Sequence, residues 1–166
     1  MIELTEDSLR LSVPDEFDAK NFDDSSHGLA HCMKAVDFVI EIPSHILFLE
    51  FKDPDHPRAQ EKAKKKFLEK IQSGALDSEL TQKYRDSWLY LRALKGRAAK
   101  PFRYFVLIAC ESLTAAELTV RTDELRKKLP VKGTNDQEWS WFVEDCAVFN
   151  LDTWNRNFPE IPVERV

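Results

Sequence analysis

The spacing of apolar residues changes several times along the chain, and each change predicts a different element of secondary structure. Alternating apolar residues over 9–13 predict a short strand that ends at Pro14. The acidic segment 15–26 has only two large apolar residues, which favours a loop or a short helix. Two apolar-rich runs follow at 34–42 and 45–52, and the proline and serine between them predict the turn of a β-hairpin.

Beyond the hairpin the apolar spacing lengthens to four residues, as on one face of a helix. This spacing runs over 58–95 and is interrupted by Gly74, so we expect two consecutive helices. A near-continuous apolar run at 102–110 predicts a strand that is covered on both faces. A capping box at Thr114 predicts the start of a helix that ends at Pro130.

The chain ends with a β-like run at 139–149 and a tail at 150–166, which contains two prolines and is expected to be mostly irregular. The predicted order is therefore β–(short α)–β–β–α–β–α–β. A hairpin followed by helical crossovers implies a mixed central β-sheet flanked by helices, which places the chain in the α/β class. The length of 166 residues fits a single domain over 1–166.

The composition excludes several classes of protein. The three cysteines, Cys32, Cys110 and Cys146, form no Cys-x-x-Cys pair, so neither a zinc ribbon nor a disulfide framework is expected. The four scattered glycines exclude a P-loop and a glycine-rich dinucleotide fingerprint. The longest apolar runs fall far short of the roughly 20 residues that span a bilayer. We therefore expect a cytoplasmic protein with reduced thiols and no membrane partner.

Charge is distributed unevenly along the chain. The net charge of −5 argues against a nucleic-acid partner, but residues 58–103 contain 13 basic and 5 acidic residues. Four lysines of this segment follow the hairpin closely: Lys62, Lys64, Lys65 and Lys66. Such a basic segment can neutralise backbone phosphates, so DNA or RNA is the expected partner, and a solvated helix face is the alternative.

The register of the predicted hairpin brings three charged residues together. When Ile42 faces His45 across the turn, Asp37 lies opposite Glu50. Their β-carbons are then roughly 5 Å apart, and Lys52 projects from the same face. Two adjacent carboxylates repel each other unless a cation lies between them or one is protonated. Carboxylate ligands favour Mg²⁺ or Mn²⁺, which can activate water for attack on a phosphodiester, and solvated surface charges are the alternative.

The hairpin resembles the sequence motif of the PD-(D/E)XK nuclease superfamily in Val36-Asp37, followed after twelve residues by Glu50-Phe51-Lys52. The resemblance implies a restriction endonuclease-like core with the order helix–strand–strand–strand–helix–strand. It also implies that Asp37 and Glu50 bind Mg²⁺ or Mn²⁺, that Phe51 contributes a backbone carbonyl, and that Lys52 serves catalysis. The implied function is an endonuclease-like hydrolase that cleaves nucleic acid, and the alternative is a non-catalytic relative that acts as a binding or regulatory module.

The chain departs from this family at some positions. Val36 stands where the family has its proline. Some relatives carry a Gln-x-x-x-Tyr motif on the following helix, which is not matched because Gln82 is followed at that spacing by Asp86. Relatives sometimes add an acidic metal ligand from an N-terminal helix, and three residues are open candidates for that role: Asp15, Glu16 and Asp23.

Other residues are weaker candidates for chemistry. His27 and His31 are spaced as on one turn of a helix, beside Cys32, but no third metal ligand follows and a surface role is favoured. His56 is close enough to the hairpin in sequence to reach its charged face. Three tryptophans are interpreted as packing or interface residues, and an exposed cluster of them would favour a homodimer or a partner subunit: Trp139, Trp141 and Trp154.

Overall fold

The computed structural model describes residues 1–24, 28, 30–96, 100–129, 131 and 142–166. These residues form eight strands and four helices. The strands are β1 (Ile2–Glu6), β2 (Leu9–Val13), β3 (Asp18–Asn21), β4 (Phe38–Glu41), β5 (Ile46–Lys52), β6 (Phe102–Ile108), β7 (Asp145–Phe149) and β8 (Val163–Arg165). The helices are α1 (Glu61–Ser73), α2 (Ala75–Lys95), α3 (Ala115–Lys128) and α4 (Leu151–Asn157).

Five of the strands form a mixed central sheet in the order β3-β4-β5-β6-β7. Strands β3, β4 and β5 are antiparallel neighbours, whereas β5, β6 and β7 run parallel to one another. Because parallel strands need a crossover connection, α1 and α2 lie between β5 and β6 in the chain, and α3 lies between β6 and β7. The predicted α/β class, with a mixed sheet flanked by helices, is confirmed.

A second, smaller sheet departs from the predicted order. Strands β1, β2 and β8 form an antiparallel sheet of three strands. The predicted strand at 9–13 is therefore confirmed, but it pairs with strands from both ends of the chain instead of joining the central sheet. Its apolar residues Leu9, Leu11 and Val13 are fully buried in a core that also contains one face of the central sheet, which explains why they alternate.

The central sheet separates two apolar cores. On one side, Phe48 belongs to a core shared with residues of α2 and α3, including the fully buried Tyr84. On the other side, Leu49 belongs to a core shared with the small sheet and with Trp154 of α4. Since side chains alternate along a strand, Glu50 lies on the same face as Phe48, beneath the helices.

Local sequence signals determine where the helices begin and end. Gly74 has a φ of +76°, a left-handed conformation that suits glycine, and it separates α1 from α2 as predicted. Thr114 and Glu117 form the predicted capping box at the start of α3, each side chain accepting the other residue's backbone N–H. None of the described helices is long and apolar enough to cross a membrane.

Two segments differ from their predicted structure. The acidic segment 15–26 contains β3, because four of its residues pair with β4 at the edge of the central sheet. The tail is not irregular, because a reciprocal capping box between Asn150 and Thr153 starts α4, and β8 pairs with β2. The predicted β-like run begins with Trp139 and Trp141, which lie outside the described residues, and its later part forms β7.

Candidate active site

The β4–β5 hairpin has the register that its turn predicted. Phe38 pairs with Leu49 across the two strands. Asp37 immediately precedes β4 and therefore lies beside Glu50 of β5, on the face that the helices cover. Lys52 ends β5 on the same face, two residues beyond Glu50. The structure thus brings together the three charged residues that the sequence placed on one side of the hairpin.

A backbone hydrogen bond holds the Asp37 carboxylate in place. Asp37 Oδ2 accepts the backbone N–H of Phe51 at 2.6 Å, and only 4% of the Asp37 side chain is exposed. The Phe51 ring points to the opposite face of the sheet, where it packs edge-on against Phe38 and Trp154. Phe51 therefore anchors the site through its N–H, and its implied role as a carbonyl ligand stays a prediction.

The Glu50 carboxyl is fully buried, with 0% of its side chain exposed. Burial, and then the charge of Asp37, raise its pKa from the ordinary value of 4.5 to about 7. The ammonium groups of Lys52 and Lys83 act in the opposite direction. Without a further cation, Glu50 therefore exchanges between its protonated and ionised forms near neutral pH.

Two lysines reach the same oxygen of Glu50. Lys52 Nζ lies 2.5 Å from Glu50 Oε1, and Lys83 Nζ, from α2, lies 2.7 Å from it. Lys83 Nζ also lies 3.2 Å from Asp37 Oδ1, and 12% of its side chain is exposed. Burial alone would lower the pKa of Lys83, but the two neighbouring carboxylates outweigh it and raise that pKa, so Lys83 stays charged.

Lys83 is a site residue that the sequence reasoning missed. It follows Glu79 by four residues, so both side chains lie on one face of α2, beside the buried stripe that contains Leu80 and Tyr84. This pair of opposite charges next to an apolar stripe is the signal that could have identified Lys83. Gln82, the glutamine compared with the Gln-x-x-x-Tyr motif, is exposed.

The three acidic residues considered as additional ligands have different positions. Asp23 Oδ2 lies 3.7 Å from Lys83 Nζ, at the edge of the site. Asp15 pairs with the N-terminal amine at 2.7 Å, and Glu16 is exposed. A fourth acid, Glu6 at the end of β1, was not predicted. Burial and then the charge of Asp37 raise the Glu6 pKa to about 6, so the two carboxyl groups interact electrostatically.

The donor set at the hairpin fits a hard divalent cation. Glu50 Oε2 is buried and has no hydrogen-bond partner among the described residues, which is costly for a carboxylate oxygen unless a ligand occupies it. Mg²⁺ is usually held by one or two carboxylates, with water completing its shell. Within the described part of the chain, no group of three or more His, Cys, Asp or Glu residues is placed to hold a metal. Water would therefore complete a shell that Asp37 and Glu50 begin.

The four lysines predicted to contact nucleic acid lie on α1, the first helix after Lys52. The side chains of Lys62, Lys65 and Lys66 are exposed. Lys64 differs, because its Nζ forms an ion pair with Asp55 Oδ1 at 2.5 Å in the loop after β5. Three of the four predicted lysines thus present their charge to solvent.

Of the candidate histidines, His31 and His56 are described, and neither forms a hydrogen bond or an ion pair with Asp37, Glu50 or Lys52. His31 and Cys32 are exposed, and His27 lies outside the described residues. His56 Nδ1 accepts the backbone N–H of Arg58 at 2.9 Å, within its own loop. Trp154 is fully buried, which confirms its interpretation as a packing residue.

Comparisons with known proteins return no match, whether with family models, curated proteins or solved structures. The chemistry of the site therefore rests on the residues of the hairpin and on the helix that covers it.

Proposed function

We propose that this chain is a metal-dependent nuclease that hydrolyses phosphodiester bonds in nucleic acid. One observation carries the proposal: Asp37, Glu50 and Lys52 converge at the open end of one hairpin, and Glu50 Oε2 has no hydrogen-bond partner among the described residues. Two carboxylates can hold a divalent cation, and an adjacent lysine can stabilise the charge that develops on a reacting phosphate.

The order of elements supports a restriction endonuclease-like core. Three antiparallel strands, β3 to β5, lead into α1 and α2 and then into the parallel strand β6. This matches the strand–strand–strand–helix–strand part of the order that the resemblance implies. The opening helix of that order has no counterpart before β3 among the described residues, where the β1–β2 hairpin is found instead.

Each site residue has a distinct role in this proposal. Asp37 and Glu50 would hold Mg²⁺ or Mn²⁺, which supplies a water of lowered pKa and neutralises phosphate charge. The N–H of Phe51 keeps the Asp37 carboxylate oriented, and the Phe51 carbonyl would be a further ligand. Lys52 places a positive charge beside Glu50, where it can orient the attacking water or stabilise charge on the phosphate.

The exposed lysines of α1 support a polyanionic substrate. Lys62, Lys65 and Lys66 are exposed on the helix that follows the site in the chain, and in this proposal their charges contact phosphates flanking the scissile bond. Contacts of this kind are independent of base sequence, because they involve only the phosphate backbone. The proposed substrate class is therefore DNA or RNA bound with little sequence preference.

One observation favours a second candidate, a non-catalytic protein of the same fold that binds nucleic acid or regulates a partner. Lys83 Nζ lies between the two carboxylates, 2.7 Å from Glu50 Oε1 and 3.2 Å from Asp37 Oδ1. A lysine in this position can neutralise the pair without any metal. The two candidates therefore differ in whether a metal ion and a cleaved phosphodiester accompany binding.

Cleavage assays distinguish these candidates. Single- and double-stranded DNA and RNA are incubated with Mg²⁺ or Mn²⁺ and with wild type, Glu50→Gln, Lys52→Met or the control Glu160→Gln, which changes an exposed acid before β8. We expect metal-dependent cleavage by wild type and by the control, and a loss of about a hundredfold or more in the two site variants.

The other outcomes are also decisive. If wild type binds nucleic acid but cleaves none of these substrates with either metal, the non-catalytic candidate is correct. If wild type cleaves and both site variants cleave equally well, the hairpin is not the active site.

A further inference from the structure

The Lys83 ammonium bridges Asp37 and Glu50, the two carboxylates that a shared divalent cation would bind. Its Nζ is 2.7 Å from Glu50 Oε1, 3.2 Å from Asp37 Oδ1 and 3.7 Å from Asp23 Oδ2. Only 12% of the side chain is exposed, so solvent screens these interactions weakly. Lys83 is therefore the internal counter-ion of the carboxylate pair.

The second lysine of the site has a different position. Lys52 Nζ contacts Glu50 Oε1 at 2.5 Å and lies 3.8 Å from Glu79 Oε1, at the end of β5. Lys83, by contrast, bridges the two carboxylates, because it pairs both with Asp37, which immediately precedes β4, and with Glu50 of β5. Lys83 also belongs to a helix, whereas both carboxylates belong to the hairpin, so it can move away without breaking the strand pairing.

A divalent cation and the Lys83 ammonium cannot occupy this position together. Lys83 contacts Oδ1 of Asp37 and Oε1 of Glu50, so a cation bound to both carboxylates, even through the unpartnered Oε2 of Glu50, would lie only a few ångströms from the ammonium. Two positive charges at that separation in a buried site repel each other strongly. A cation that binds Asp37 and Glu50 must therefore displace Lys83 from between them. Displacement reduces the apparent affinity for the cation, because the ion pairs of Lys83 are lost on binding.

We propose that Lys83 competes with the divalent cation for Asp37 and Glu50 and holds the site in its folded geometry until the metal loads. This inference rests on the proposed function, since it assumes that the two carboxylates bind a metal. It assigns to Lys83 the role of a positioning residue that sets metal affinity. Removing its charge is expected to tighten metal binding and to weaken the metal-free fold.

Mn²⁺ binding to the protein without nucleic acid tests this competition. Calorimetric titrations compare wild type with Lys83→Met, the uncharged polar variant Lys83→Gln, the charge-retaining variant Lys83→Arg, and Lys70→Met. Lys70 is a matched control, because it carries the same charge and pairs with Glu79, four residues before Lys83, rather than with the two carboxylates. We expect Mn²⁺ to bind Lys83→Met and Lys83→Gln at least about tenfold more tightly than wild type. Its affinity for Lys83→Arg and for Lys70→Met should be close to that for wild type.

Thermal unfolding supplies a readout that does not depend on the affinity measurement. In EDTA, Lys83→Met should melt at a lower temperature than wild type, and saturating Mn²⁺ should raise its melting temperature by more than it raises that of wild type. If the variants are too unstable to titrate, the Lys83 side-chain resonances of wild type must shift as Mg²⁺ is added.

The outcomes distinguish a failure of the proposed competition from a failure of the metal site. If wild type binds Mn²⁺ and the Lys83→Met and Lys83→Gln variants bind it equally or more weakly, the competition is overturned and the metal site stands. The same holds if the Lys83 resonances do not shift while Mg²⁺ binds. If folded wild type and all variants bind no Mn²⁺, the metal site fails and the competition fails with it.

Discussion

The backbone N–H of Phe51 donates a 2.6 Å hydrogen bond to the Asp37 carboxylate across the β4–β5 hairpin. The strand that carries Glu50 and Lys52 therefore also orients the aspartate that precedes the neighbouring strand. Because the Asp37 side chain is buried, this bond satisfies an oxygen that would otherwise lack a partner. This contact thus links the position of the Asp37 carboxylate to the register of the hairpin.

Two substitutions of Asp37 separate this hydrogen bond from the charge. In Asp37→Asn the amide oxygen can still accept the Phe51 N–H, whereas Asp37→Ala leaves that buried donor unsatisfied. We expect the alanine variant to lose about 1–3 kcal/mol more of the free energy of unfolding than the asparagine variant, measured by urea denaturation in EDTA. Equal stability of the two variants would show that the hydrogen bond contributes nothing.

The buried Glu50 carboxyl makes the stability of the metal-free protein depend on pH. Its pKa rises from 4.5 to about 7 on folding. The contribution of its protonation to the free energy of unfolding is therefore fully present below pH 4.5 and is lost as the pH rises through 7. At 1.36 kcal/mol per pKa unit, we expect the free energy of unfolding to fall by up to roughly 3 kcal/mol over this window. Glu50→Gln should not show this fall, because glutamine does not titrate.

The measurement for this prediction is the difference between wild type and Glu50→Gln in urea denaturation at several pH values, in EDTA. Taking the difference removes the contributions of other groups, including Glu6, whose raised pKa acts in the same direction. Parallel pH profiles for the two proteins would mean that Glu50 does not titrate in this range.

A second buried ion pair joins α2 to α3 and should be important for stability. Asp77 has 3% of its side chain exposed and pairs with Arg121 at 2.5 Å, while burial raises the Asp77 pKa. Arg121→Met leaves a buried carboxylate without its cation, so we expect a loss of about 3–5 kcal/mol in the free energy of unfolding.

The exposed pair of Lys127 and Glu124 on α3 is the control for this substitution. We expect Lys127→Met to unfold like wild type, because exposed ion pairs contribute little. The double variant Asp77→Asn, Arg121→Met should recover part of the loss, and a double variant no more stable than Arg121→Met would contradict the proposed cause.

The exposed lysines of α1 predict a specific dependence of binding on salt. Replacing Lys62, Lys65 and Lys66 with glutamine should weaken binding to duplex DNA and reduce the slope of log affinity against log salt by up to about 3, at roughly 0.9 per phosphate contact. Filter binding or fluorescence anisotropy at several salt concentrations measures this slope. An unchanged slope would place the nucleic acid on another surface.

A triple glutamine variant of exposed lysines elsewhere controls for the change in net charge: Lys20, Lys127 and Lys128. It should leave the slope close to that of wild type, because long-range effects of exposed charges are screened beyond about 10 Å at 0.1 M salt.

The sequence predicted the site best where the interactions are local. The pairing of Phe38 with Leu49 followed from the short turn and the twofold period of strands, which together place Asp37 beside Glu50. The boundary between α1 and α2 followed from Gly74, and the start of α3 from its capping box. Each of these features is determined by residues close together in the chain.

The features that were not predicted depend on contacts between distant segments. Lys83 reaches Glu50 from a helix 33 residues further along. The apolar stripe beside Lys83 indicates which face of α2 is buried, but no local pattern indicates that this face meets the hairpin at Glu50. Glu6 approaches Asp37 from β1. Strand β8 has only three residues and exists because β2 offers it a partner, so its own sequence carries little periodic signal.

Anomalous diffraction from crystals grown with Mn²⁺ is the most direct test of the metal site on which the proposed nuclease activity depends. The predicted result is a Mn²⁺ peak about 2.1 Å from one oxygen of Asp37 and one oxygen of Glu50, with the Lys83 ammonium no longer between them. A folded protein with no anomalous peak at these carboxylates in millimolar Mn²⁺, and with Lys83 still bridging them, would contradict it.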